Sequence, residues 1–446
     1  MSSHQDIPAL LYGIGRFWRD QRGVTAAIVA AALPVIIAFE TLGVETGLWY
    51  MIKRQNQSAV DAAAIAAEHE ILAGKTNVAA DLSPAASKAA ARNGYAAAPP
   101  LIVYPYSDSS VTNGVAVFLQ QSQRGLFAST FLPGVTIASK AVAVSGVLDD
   151  VCVLALSTTG TGIEVDSASH LDATGCAVAA NSITFNAIDI RSNTGLLSAV
   201  TVLAAGEISL QRIPIDPTAP PPEFALTSRP MIGAPSVANP YAATLTHAFL
   251  TRNIPMTRVT DNFWNATTTI TPALYASGMS FGANAVIDLT PGAYYVTNGD
   301  FSVASGAAVE CRTCSGANGV TIVMTKTGTS AGTVGNVQIS NGARVILGAP
   351  KSGTFSGLLL VQDPLTTSAG RTTPDSVLAG GSAMNLTGLL YFPATKVEFR
   401  GNPSATCTLL IASRVVTTGP AAFAASNCVS AGLSSTPAVH TAVLVE

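Results

Sequence analysis

Seventeen consecutive uncharged residues, GVTAAIVAAALPVIIAF from Gly23 to Phe39, constrain this chain more than any other stretch. An apolar run of that length must be buried, either in lipid or under protein. Glu40 and Glu45 interrupt the next segment, LGVETGLWYMI, yet it stays mostly apolar. A spanning helix needs roughly 20 predominantly apolar residues, so the run crosses a bilayer only by continuing past Glu40 toward Trp49 and Tyr50. Those aromatics suit the far interface, and a membrane helix tolerates Pro34. The expected spanning segment is 23–50. A cleaved secretory signal, with Ala30 to Ala32 near the cut, and a buried helix of a soluble domain are the competing readings.

Arg16, Arg19 and Arg22 flank the near end, which by the positive-inside rule keeps 1–22 cytoplasmic, while Lys53 and Arg54 pull weakly the other way. The cysteines argue independently for the same orientation. All six, Cys152, Cys176, Cys311, Cys314, Cys407 and Cys428, lie beyond the apolar run, and an even count outside the cytoplasm reads as disulfides. Spacing alone does not fix their connectivity, but the nearest-neighbour pairs are the expectation. The chain is thus expected to be a single-pass inner-membrane protein with its bulk periplasmic or surface-exposed. Charged residues are 11% of the chain and the net charge is -3, with no basic stripe, which argues against a nucleic-acid partner.

After Tyr50 the pattern MIKRQNQSAVDAAAIAAEHEIL stays helical but turns amphipathic. Ala59, Ala63, Ala66 and Ala67 share a face with Ile52, leaving Asp61, Glu68 and Glu70 for water. Phe17 to Ala67 resembles the N-terminal segment of the TadE/TadG family of Tad (Flp) pilus-assembly proteins, through its Arg-Gly entry, its ALP and its Gln-x-x-x-Ala-x-Asp-Ala-Ala-Ala tail. Leu289 to Gly299, Thr354 to Asp363 and Leu386 to Asn402 resemble TadG-type proteins too. The resemblance implies a structural role in pilus assembly, adherence and biofilm formation. It also implies partners among pilin-like proteins, a membrane platform and a secretin. Two positions depart from the family pattern. Ile28 replaces the Glu expected five residues after Gly23, so an uncleaved anchor is expected. In VCVLALSTTGTG no Asp precedes Ser157, so the metal motif of von Willebrand-type domains is not expected.

Ser83, Pro84 and Gly94 read as the cap, first turn and close of a short helix. With strands at Leu101–Tyr106, Gly114–Gln121 and Lys140–Val147, and a helix over 124–132, this makes a pilin-like α+β unit over 51–150. From 151 to 446 short strands alternate with Gly, Asn and Ser corners without helical periodicity, which predicts a mainly β domain. A right-handed parallel β-helix is the first choice and a β-sandwich the alternative. Eight prolines between Pro214 and Pro240 predict an extended excursion from the β body over 213–240.

Cys311-Arg-Thr-Cys314 precedes a turn rather than a helix, favouring a loop-closing disulfide over a redox or zinc site. Glu164, Asp166 and Asp172 surround His170, an acidic set that could bind calcium or act in acid–base cleavage, although solvated loop charges are the commoner case. The histidines (His4, His69, His170, His247 and His440) have no triad spacing. No catalytic, cofactor or metal set is expected. The competing functional reading is a membrane-tethered β-helix that binds or cleaves polysaccharide.

Overall fold

The computed structural model describes residues 24–445 apart from 73, 110, 126–133, 167, 192–194, 212–222, 261–262, 328–333, 367–374, 403–405, 426–427 and 434–435. Arg16, Arg19 and Arg22, and most of the helix expected over 124–132, lie outside the described residues. The protein is mainly β, with one long apolar N-terminal helix and a large parallel sheet. It divides into two compact units, Met1–Ser145 with Ala442–Glu446, and Gly146–Thr441. The last residues therefore belong with the first unit, not with the β domain in which the sequence pattern places them.

In the first unit, helix α1 (Val24–Leu72) runs unbroken through Pro34 for 49 residues, about 74 Å at 1.5 Å per residue. Its second half packs on the antiparallel sheet of β1 (Leu101–Tyr106), β2 (Gly114–Gln123) and β3 (Val135–Ala155). Ala59, Val60, Ala63, Ala64 and Ala67 are fully buried against Val115, Val117 and Ala143. Short alanines let the helix approach the sheet closely. Helix α2 (Ser83–Arg92) shares that core through Ala86 and Ala90. Ser83 is not its cap: a π-helical turn, Val78–Leu82, precedes α2, and Asn77 caps that turn by accepting from the amides of Ala79 and Ala80. Gly94, at φ +84°, ends α2 in the left-handed region.

Glu68 does not face water. It lies eight residues after Val60 and four after Ala64, so the buried stripe carries it inward, where it is 1% exposed with Oε2 unpartnered. Burial pushes its carboxyl up from 4.5 to about 7. Below pH 4.5 both states are protonated and nothing is lost. Between 4.5 and about 7 only the unfolded state ionises, so the first unit loses stability as pH rises. The loss reaches about 3 kcal/mol above pH 7. Glu68→Gln should abolish this slope and raise the denaturation midpoint at pH 8 while leaving pH 4 unchanged. A wild-type midpoint flat from pH 4 to 8 would refute the account.

In the second unit the strands stack as parallel ladders with short corners between them. The first ladder runs, neighbour to neighbour, through Met231–Ile232, Val202–Ala204, Ala177–Ala180, Val153–Ala155, Leu410–Ala412, Leu389–Tyr391, Leu360–Gln362, Ile322–Met324, Tyr295–Val296, Leu274–Tyr275 and Arg258–Val259. The second keeps the same order from Ile208–Gln211 through Val415–Thr417 to Met279–Phe281. The parallel pairing along these ladders overturns the β-sandwich alternative, which requires antiparallel sheets. Each turn of chain leaves a strand on each face, and apolar residues point inward. Across successive rungs Phe263 stacks on Phe281 at 5.7 Å and Phe281 meets Phe301 edge-on at 5.6 Å.

The rung order is not the chain order. In the first ladder four strands from residues 151–232 extend one way, and those from 258–422 approach from the opposite end, so that Leu410–Ala412 docks on Val153–Ala155. A strap over 233–257 joins the two far ends. Ten ladder steps at about 4.8 Å make about 48 Å, within reach of 25 residues. The strap is pinned along its course. Asn181 clasps the backbone of Val237 through two hydrogen bonds of 2.9 and 2.8 Å, and Asn239 donates to the Tyr391 hydroxyl at 3.0 Å. Beyond these, His247 meets Asp363. The predicted proline-rich excursion is corrected accordingly. Residues 212–222 lie outside the described set, but Glu223–Leu226 and Met231–Ile232 are ladder strands, and the departure from the β body begins only at 233. Pro230 lies in the corner between these two short strands, where no ladder donor is needed, and Pro235 and Pro240 lie in the strap.

The third face is interrupted. One ladder of it runs from Glu223–Leu226 through His170–Ala173 to Pro420–Ala422. Another runs from Thr267–Ile270 to Met384–Thr387. Among the described residues no backbone pair joins the two. The Asn402 side chain bridges them instead, accepting from the Leu386 amide at 2.8 Å and donating to the Ala422 carbonyl at 3.4 Å.

Candidate functional site

Two features of the molecule are candidates for function. The first is the near half of α1, most of which is bare among the described residues: Phe39 and Tyr50 are 71% and 69% exposed. An 18-residue window of this helix has a mean hydropathy of 2.2 and no buried residue. A bare apolar rod is unstable in water and stable in hydrocarbon. The helix is long and apolar enough to cross a membrane once.

The six cysteines form three disulfides, Cys152–Cys176, Cys311–Cys314 and Cys407–Cys428. The first links the opening of one rung to the next. The second closes the corner after strand Ala308–Glu310, away from any helix N-terminus. The third ties the segment beyond the last rung back to that rung.

The acidic set around His170 does not converge on one point. Glu164 is engaged by Arg191 at 2.6 Å, and Arg191 also holds the fully buried Asp189 at 3.1 Å. Asp166 lies beyond the end of strand Ile163–Val165, where its amide donates to the Thr417 carbonyl. Among the described residues no three His, Cys, Asp or Glu side chains are placed to share a metal ion.

His170 and Asp172 instead line the second feature, a cleft of about 440 Å³ beside the gap in the third face. The opposite wall is formed by Asn341, Ser382 and Arg400, with Gly381, Gly401 and Pro420–Ala422 completing the lining. Gly381, Gly401, Ala421 and Leu171 occupy the same register on four successive rungs. The cleft exists only because the last rung docks on the first, bringing residues 170–172 beside 381–422. His170 Nε2 is 2.9 Å from Ser198 Oγ, which fixes the ring. Ser198 itself is 4% exposed, too deep to present a nucleophile. Asp172 Oδ1 accepts from the Thr174 amide at 3.2 Å.

The sequence pattern singles out His170 and Asp172 but not Arg400, Asn341 and Ser382. No local pattern marks those three, and their proximity depends on rung order rather than spacing. The gap-bridging Asn402 carries one available signal, the Gly-Asn pair that closes the family-like stretch Leu386 to Asn402. No known family matches this chain, and neither a characterised protein nor a solved structure is significantly similar to it.

Proposed function

We propose that this protein is a structural, membrane-anchored component of Tad (Flp) pilus assembly, serving pilus biogenesis and surface adherence rather than catalysis. The observation that carries this reading is one continuous helix with two environments. Residues 24–50 are mostly bare and apolar, Glu45 being the buried exception, while 56–68 are packed on the chain's own sheet. That division is the physical plan of a pilin-type first helix, which rests in lipid and offers its bare length to other apolar helices. The resemblance of Phe17 to Ala67 to TadE/TadG proteins supplies the process. On this reading the N-terminus is cytoplasmic, which Arg16, Arg19 and Arg22 favour, and the rest lies on the oxidising side of the inner membrane, where three disulfides are stable. The second unit is a right-handed parallel β-helix, a rigid body suited to contacting pilin-like proteins, a membrane platform or a secretin.

Deleting the gene and imaging the cells tests this. Loss of pili, restored by the full chain but not by a chain lacking residues 24–50, is the expected result. Normally piliated cells that attach normally would overturn it. Recovery of the intact chain from cytosol with free thiols would overturn the topology as well.

A further inference from the structure

We propose that the cleft beside the gap in the third face binds an acidic sugar residue of a polysaccharide, with Arg400 taking the carboxylate. This does not rest on the pilus reading. The guanidinium is half-buried and has no carboxylate within ion-pair distance among the described residues. Its stem lies across Gly419, where an added Cβ would come 2.8 Å from Nε and 3.0 Å from Cγ and Cδ. The absence of a side chain at 419 therefore sets the direction of Arg400. A planar fork so held, and unpaired, matches a carboxylate bidentately.

The rest of the lining selects hydroxyls. Asp172 uses Oδ1 on its own backbone turn and keeps Oδ2 as an acceptor, while Asn341 and Ser382 are exposed donors and acceptors at the other wall. The floor at Gly381, Gly401 and Ala421 carries nothing beyond a Cβ, so a flat ring can rest on it. A cation on one side with a carboxylate and an amide around it fits a ligand that joins one negative charge to several hydroxyls. A uronate ring is such a ligand. A neutral sugar would leave the guanidinium unpaired in the cleft, and inorganic phosphate has no ring to rest on the floor and carry hydroxyls to Asp172.

The test uses the full chain in lipid nanodiscs and calorimetric titration with tetragalacturonate, its methyl ester and inorganic phosphate. Tetragalacturonate should bind, and esterification or Arg400→Ala should each weaken it roughly tenfold or more, the loss of one charge-assisted pair. Gly419→Ala, which keeps the cation but displaces it, should weaken binding too. Arg344→Ala, which removes an exposed cation paired with Glu310 outside the cleft, should not. Absence of wild-type binding would overturn the proposal, as would equal affinity for the ester or for phosphate. So would equal losses from Arg344→Ala and Arg400→Ala, which would mean diffuse charge attraction. The comparison of acid with ester needs no variant and stands even if one fails to fold.

Discussion

Asp363→Ala should destabilise the second unit by about 3–5 kcal/mol, the cost of breaking a buried charged contact from one side. Asp363 is fully buried, and its carboxylate engages three groups. Oδ2 accepts from the Thr325 hydroxyl at 2.7 Å on the neighbouring rung and lies 2.5 Å from His247 Nδ1 on the strap. Oδ1 accepts from the Leu365 amide at 2.9 Å. Truncation leaves a hydroxyl, an imidazole and an amide to find new partners in a dry corner. Because His247 is the strap's contribution, the lost stability should be accompanied by lost attachment. Tryptic cleavage at Arg252 should appear in the variant under conditions where the wild type resists. His247→Ala should cost less, since Thr325 and Leu365 still satisfy the carboxylate, and the double variant should cost less than the sum of the two. A variant with an unchanged urea midpoint and a protected strap would show that the strap is held by its apolar contacts alone. Chief among these is the edge-on pair of Phe249 with Phe355 at 5.9 Å.

That strap marks the limit of what the sequence could disclose. The stem is legible because a run of uncharged residues has few physical outcomes, and β1, β2 and β3 are legible because alternating apolar residues between Gly and Asn corners are local signals. Glu68 misleads because charge is a poor guide to exposure where the stripe of Val60 and Ala64 continues through it at helical spacing. The parallel ladders are suggested by corners without helices between them. Their order is not, because nothing local records that Leu410 pairs with Val153 rather than with a strand nearer in the chain. The cleft inherits that opacity. His170 and Asp172 are noticeable for their chemistry, but Arg400 joins them only through the docking of the last rung on the first.

Asn402 offers the sharpest test of how the interrupted face is closed. It is fully buried and sits at φ +65°, a conformation that asparagine tolerates and leucine resists by about 1–2 kcal/mol. Its Oδ1 takes the Leu386 amide at 2.8 Å, and Nδ2 donates to Thr408 Oγ1 at 2.9 Å. Thr408 in turn donates to the Leu386 carbonyl at 2.6 Å, so one side chain and one hydroxyl stand in for a missing stretch of ladder. Asn402→Leu, close in shape but without polar atoms, should orphan the Leu386 amide and strain the backbone, for a total of about 3–5 kcal/mol. Asn402→Gly keeps the permitted φ and loses only the bonds, so it should cost clearly less. Hydrogen exchange separates local from global loss. In both variants the Leu386 amide should exchange faster than Leu389, whose donation to the Gly357 carbonyl at 2.8 Å does not pass through Asn402. If Leu and Gly at this position cost the same, the left-handed backbone contributes nothing. If Leu386 stays as protected as Leu389, the side chain is not what bridges the two halves of the face.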